Sequence, residues 1–162
     1  MTQVYLSLGS NIDRAANIRS GLEVLSARFP GIRLSPVYES EAVGFDGEPF
    51  LNLVALIDTD LPVGELADWL RDIEADHGRV RGEKKFASRT LDIDILTYGD
   101  TVGIIEGVEL PRDEILKHAF VLKPLADLAP RERHPQTGRT YADIWQDFDK
   151  GKQVLWQVQL EE

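Results

Sequence analysis

Two carboxylates two residues apart, Asp92 and Asp94, sit inside the apolar stretch "SRTLDIDILTYGD", residues 88–100. Asp is among the poorest strand formers, yet Leu91, Ile93, Ile95 and Leu96 read as a strand. Residues i and i+2 of a strand project to the same side, roughly 6.5–7 Å apart at Cα. The aspartates therefore share one face, and Ile93 and Ile95 turn the other way. Two carboxylates so close repel, and an unneutralised pair tends to hold a proton. A hard divalent cation such as Mg²⁺ removes the repulsion and keeps coordination positions for water and phosphate. The plain alternative is the polar outer face of a half-exposed strand.

Immediately upstream, "RVRGEKKFASR" (residues 79–89) holds five Lys or Arg against one Glu, a local charge of +4. The chain as a whole carries −10, so the remainder carries −14. A small basic island on an acidic chain suits a compact polyanion such as a nucleoside triphosphate; a solvated charged loop is the bland reading. The overall charge disfavours nucleic acid and anionic membranes, which need a basic field. Arg79, Arg81 and Arg89 offer planar forks matched to phosphate oxygens, or surface ion pairs with Glu74 and Asp76. Metal-bound phosphates need both carboxylates and guanidinium groups, and both lie between Arg79 and Asp94. Phe86 in the basic loop is either a ring-covering tip or ordinary packing.

Other features are weaker alone. "LGSN", residues 8–11, places a glycine where a turn is expected between strand and helix, and glycine admits close backbone approach. Asn52 lies within the apolar run "FLNLVALIDTD", where a buried amide must find partners in ligand or protein. His77, His118 and His134 are scattered, without zinc spacing, and neither a P-loop nor a dinucleotide-binding glycine motif occurs.

These side chains must be held by a recognisable series of elements. Residues 3–8 read as a strand ended by "GSN". Asp13 can cap a helix whose apolar face is Ala15, Ile18, Leu22, Leu25 and Phe29. "IRLSPVYES" is a second strand with Pro36 implying an edge or bulge, and residues 41–49 are loop. Residues 50–60 form a third strand, and Pro62 opens a helix that ends before Gly78. After the aspartate strand, "TVGIIEGVELP" predicts a small hairpin. Residues 113–130 predict two short helical segments broken at Pro124, followed by a helix at 141–149 and a strand at 153–160. The leading β-α-β-β-α-β order predicts an α+β, ferredoxin-like antiparallel sheet with helices on one face and C-terminal extensions. The other face is left for a ligand or for the extensions.

The 162 residues suit one domain, 1–162, with a real core. There is no cysteine, hence no disulfide framework. The N-terminus lacks signal-peptide character, and no apolar run approaches the roughly 20 residues of a membrane span. A cytoplasmic monomer is the expectation.

In order, "LGSN", "VYES", "G…PFLN", "IE…GRVR", "RTLDIDIL.YG" and "LP…AFVLKPL" resemble the 6-hydroxymethyl-7,8-dihydropterin pyrophosphokinase family of folate biosynthesis over roughly residues 3–130. The resemblance implies that ATP donates its β,γ-pyrophosphoryl unit to the pterin hydroxymethyl oxygen, leaving AMP. Asp92 and Asp94 match the aspartates that hold two Mg²⁺ ions on the triphosphate. Arg81 and Arg89 match phosphate contacts, Arg79 a further catalytic-loop arginine, and Glu74 a contact near the adenosine. Asn52 matches the reader of the pterin amide edge and Phe120 the aromatic stacked on the pterin ring. Phe50 matches an aromatic lining that pocket, and Ser40 and Val43 match loop contacts. The chain departs from the family pattern at Phe86, which replaces a tryptophan, and Ser88, which replaces a proline. Glu41 and Ala42 stand where prolines are frequent. Arg112 stands in place of a His and His118 in place of an Arg, as if the two groups had exchanged around the same phosphates. A non-catalytic pterin- or nucleotide-binding paralogue, or a kinase of another pterin alcohol, is the competing reading.

Overall fold

The computed structural model describes residues 1–41, 48–78, 90–151 and 153–160. Its centre is an antiparallel sheet in which β1 (Thr2–Ser10) lies between β4 (Phe50–Thr59) and β5 (Asp92–Tyr98). The path across the sheet runs β5-β1-β4-β3-β8, with β3 at Val37–Ser40 and β8 at Leu155–Val158. The short β2 (Arg33–Leu34) also pairs with β4. Pro36 separates β2 from β3, the interruption its missing N–H predicts.

Alternation gives the sheet two apolar faces. One packs Val4, Leu6, Leu8, Leu53, Ala55, Ile57, Ile93 and Ile95 against helix α1 (Arg14–Arg28) and helix α2 (Val63–Asp76). The other packs Tyr5, Val54, Leu56 and Leu96 against α3 (Ala119–Leu128) and α4 (Tyr141–Asp147). The C-terminal extensions thus cover one end of the second face. A register shift between Tyr5 and Leu6 leaves Leu96 unpaired with β1, the signature of a bulge.

Three expectations need correction. Gly9 is not a turn residue: β1 runs through it to Ser10, because β4 and β5 pair on both of its sides. Asp13 occupies the position before α1, but with φ 43° its carboxylate makes no capping bond. The helical segment over 113–130 breaks not at Pro124 but at Lys117–His118, between a 3-10 helix (Asp113–Leu116) and α3. Pro124 lies inside α3 and is buried. The missing amide would have served only the Phe120 carbonyl, and apolar packing outweighs that one bond. The hairpin forms as expected, β6 (Gly103–Ile105) with β7 (Val108–Leu110).

Candidate functional site

On the second face, beyond the part covered by α3 and α4, the sheet turns polar. Gly9 is flanked by Asn52 on β4 and Asp92 on β5, and Asn52 in turn pairs with Tyr38 on β3. The next row carries Asp94 beside Ser7, and the row on the other side carries Ser40 beside Phe50. Register alone therefore places Asp92, Asp94, Phe50, Asn52 and Ser40 on one face of four adjacent strands, with Ile93 and Ile95 turned into the core.

Gly9 has a specific role in this row. A Cβ built there would lie 3.0 Å from Asn52 Oδ1 and 3.7 Å from the Phe50 ring. Asn52, 6% exposed, donates from Nδ2 to Ser40 Oγ at 2.9 Å. That bond fixes which edge of the amide points across the face. Sequence reading missed Gly9 because a strand glycine looks like a turn; a glycine inside a strand signals close approach by another group.

The carboxylate end is electrostatically loaded. Burial, and next the neighbouring Asp92 charge, push the Asp94 carboxyl well above its usual range, while Arg112 works the other way. Arg112 Nη2 lies 3.8 Å from Asp94 and donates to Glu114 Oε1 at 3.2 Å. The backbone fixes Arg112 there: its N–H donates to the Leu96 carbonyl at 2.8 Å. His118 precedes α3, and its ring stacks on Phe120 with centroids 4.8 Å apart. Phe120 packs against the apolar core of this same face. The Arg112 guanidinium therefore stands against the Asp94 carboxylate, and His118 lies against Phe120, the ring expected to stack on the pterin.

Glu74 is placed differently from the others. It is 7% exposed on α2, and its Oε2 accepts from the Ile93 N–H at 2.8 Å, tying that helix to the β5 strand. Tyr38, in the Asn52 row, donates its hydroxyl to Asp127, which also accepts from Lys123 at 2.6 Å. The expected roles of Val43, Arg79, Arg81, Phe86 and Arg89 fall outside the described residues.

Among the described residues, no group of three or more His, Cys, Asp or Glu side chains gathers as a ligand set. Two acids on one strand face nonetheless fit Mg²⁺, which binds through one or two carboxylates and takes its remaining oxygens from water and phosphate. Asp94, whose carboxyl burial and then the Asp92 charge push upward, is the kind of group a cation would relieve.

The family model described as 7,8-dihydro-6-hydroxymethylpterin-pyrophosphokinase matches residues 5–130. The chain is 41% identical over 138 residues to a Pseudomonas aeruginosa 2-amino-4-hydroxy-6-hydroxymethyldihydropteridine pyrophosphokinase, covering 82% of this chain and 84% of that protein. It is 42% identical over 135 residues to the protein of the same name from Methylorubrum extorquens, covering 80% and 84%. A crystal structure of wild-type Plasmodium falciparum HPPK-DHPS superposes with a TM-score of 0.64 at 13% identity, covering 90% of this chain and 43% of that one. At that identity the likeness speaks for the fold, and this chain spans less than half the length of that protein.

Proposed function

The chain belongs to the 7,8-dihydro-6-hydroxymethylpterin-pyrophosphokinase family, and on that premise we propose how its residues divide the work. The reaction is transfer of pyrophosphate to the hydroxymethyl group of 6-hydroxymethyl-7,8-dihydropterin, a step of folate biosynthesis. ATP is the donor, AMP the second product, and the domain acts over residues 1–162. The single observation that carries the reading is the row Asp92–Gly9–Asn52, which sets a carboxylate and a ring-edge amide on either side of one glycine.

Asn52 presents its amide to the pterin edge, oriented by Ser40. Phe50 and Phe120, with Val43 and Phe86, line the ring's pocket. Asp92 and Asp94 would hold two Mg²⁺ ions, whose bound charge would supply neutralisation of the triphosphate and a lowered pKa for a contacting hydroxyl. Arg79, Arg81 and Arg89 take the remaining phosphate charge as planar forks. Arg112 stays charged beside Asp94, as its raised pKa requires, and faces the phosphate side; His118 joins it at the nucleotide. Glu74 contributes by holding α2 to the edge of β5 next to Asp92, and thereby the nucleotide side. Chemistry of this kind is positioning plus charge neutralisation, so no strong general base need be assigned.

The core is read as ferredoxin-like, supported by the strand order β5-β1-β4-β3 with α1 and α2 on one face. The proposal also has the chain act as a cytoplasmic monomer on small molecules, in keeping with its net charge of −10. No observation favours the non-catalytic alternative. Incubation with Mg-ATP and 6-hydroxymethyl-7,8-dihydropterin tests the proposal. AMP formed in step with pterin consumption is expected. ADP, or binding without turnover, would overturn it.

A further inference from the structure

β1 is antiparallel to both neighbours, so its C-terminal end meets the first residues of β4 and β5. The two residues leaving β1 there, Ser10 and Asn11, are 0% and 4% exposed. Ser10 Oγ lies 2.5 Å from the Thr90 carbonyl and 3.1 Å from that of Ile12. A hydroxyl has one proton, and the shorter contact takes it. Asn11 Nδ2 donates to the Glu48 carbonyl at 3.0 Å. Arg14 Nη1 reinforces that anchor through the Pro49 carbonyl at 3.1 Å, while its Nη2 pairs with Glu39 at 3.3 Å. Thr90 stands two residues before Asp92, and Glu48 two residues before Phe50.

We propose that Ser10 and Asn11 are positioning residues of the transfer: Ser10 sets the start of β5, hence Asp92 and Asp94, and Asn11 sets the start of β4, hence Phe50 and Asn52. The inference rests on the function given above. A simple turn needs neither a buried hydroxyl nor a buried amide reaching 80 and 37 residues away along the chain. Because the two side chains are consecutive on one backbone, the phosphate side and the pterin side are held at a fixed separation. Transfer between two bound substrates depends on that separation, since small misplacements of reacting atoms cost rate steeply.

The test uses Ser10→Ala, Asn11→Asp (shape kept, donor lost) and Ser10→Thr as the rescue, with Asn11→Ser standing in should the Asp variant not fold. Ser10→Ala is expected to raise the KM for Mg-ATP and lower kcat by about ten-fold, with the pterin KM within about two-fold. Asn11→Asp is expected to do the converse, and Ser10→Thr to restore Mg-ATP kinetics. Amide hydrogen exchange in the ligand-free protein, which needs no turnover, should quicken at 90–92 in the first variant and at 48–52 in the second. Wild-type protein without AMP formation would sink the functional reading, leaving exchange to decide the positioning. Exchange unchanged at the starts of both strands, or equal loss of both substrates in each variant, overturns the inference.

Discussion

Asn52 Oδ1 lies 3.0 Å from the point at which a side chain on Gly9 would begin. The same amide is tied through its Nδ2 to Ser40, so swinging it away from a new methyl group works against that bond. Gly9→Ala should therefore fold but bind pterin roughly ten-fold more weakly, with Mg-ATP binding changed less. Titration calorimetry with each substrate separately checks this; equal affinity for pterin in variant and wild type would remove Gly9 from the site.

Asp92 and Asp94 are both partly exposed on a strand whose Ile93, Ile95 and Leu96 are buried in the core. Replacing Asp94 with Ala removes a carboxyl that burial and Asp92 already strain, so the fold should be kept or slightly stabilised. Mg-dependent turnover should fall on the order of 10²–10³-fold for either Asp92→Ala or Asp94→Ala. Thermal melting and an AMP assay across Mg²⁺ concentrations check both halves, and full activity in either variant refutes the metal assignment.

Arg112 offsets the Asp94 charge at 3.8 Å and is one-third exposed, side-chain exposure 32%. Arg112→Ala and His118→Ala should each weaken ATP binding, the first more, because its charge faces the carboxylate pair. No effect from either variant in an ATP-binding measurement would end the idea that the two groups exchanged places.

Glu74 supplies the acceptor for the buried Ile93 N–H. Glu74→Ala leaves that donor without it and should cost about 1–3 kcal/mol of stability. Glu74→Gln, which retains an oxygen acceptor, should cost less. Denaturant unfolding of the pair decides whether the residue works chiefly through the fold; unchanged stability with lost ATP affinity would point to direct contact instead.

His134 is 1% exposed, and its Nδ1 accepts from the Gln136 and Thr137 amides at 3.2 and 3.1 Å. Burial lowers its pKa below the usual 6.5. The unfolded chain thus takes up this proton first as pH falls, so the stability His134 provides is whole above about pH 6.5 and declines below it. His134→Asn should flatten the fall in melting temperature between about pH 7 and 5.5. An unchanged slope would show that other groups cause it.

Much of this was legible along the chain. Period-two alternation placed Ile93 and Ile95 inward and the aspartates outward, and the structure agrees because a strand has only two faces. The apolar steps of α1 and α2, the hairpin and the terminal strand were likewise local signals. Local signals failed where tertiary packing outweighed propensity. Pro124 stays helical because its neighbours Val121, Leu122 and Leu125 are buried against the sheet. Asp13 holds the expected position with no cap bond, since its backbone is left-handed there.

The sequence by itself determined the chemistry available: which residues carry charge, which amide interrupts an apolar strand, and which carboxylates share a side. Those follow from residue type and from the fixed periods of helix and strand. Only the tertiary structure decided who faces whom. The antiparallel register set Gly9 between Asn52 and Asp92, residues 43 and 83 positions away in sequence. Packing against β5 also brought Arg112 to Asp94 and the Glu74 carboxylate to the Ile93 N–H. Such relations depend on how distant strands pair and on which faces are buried, and no local period encodes either.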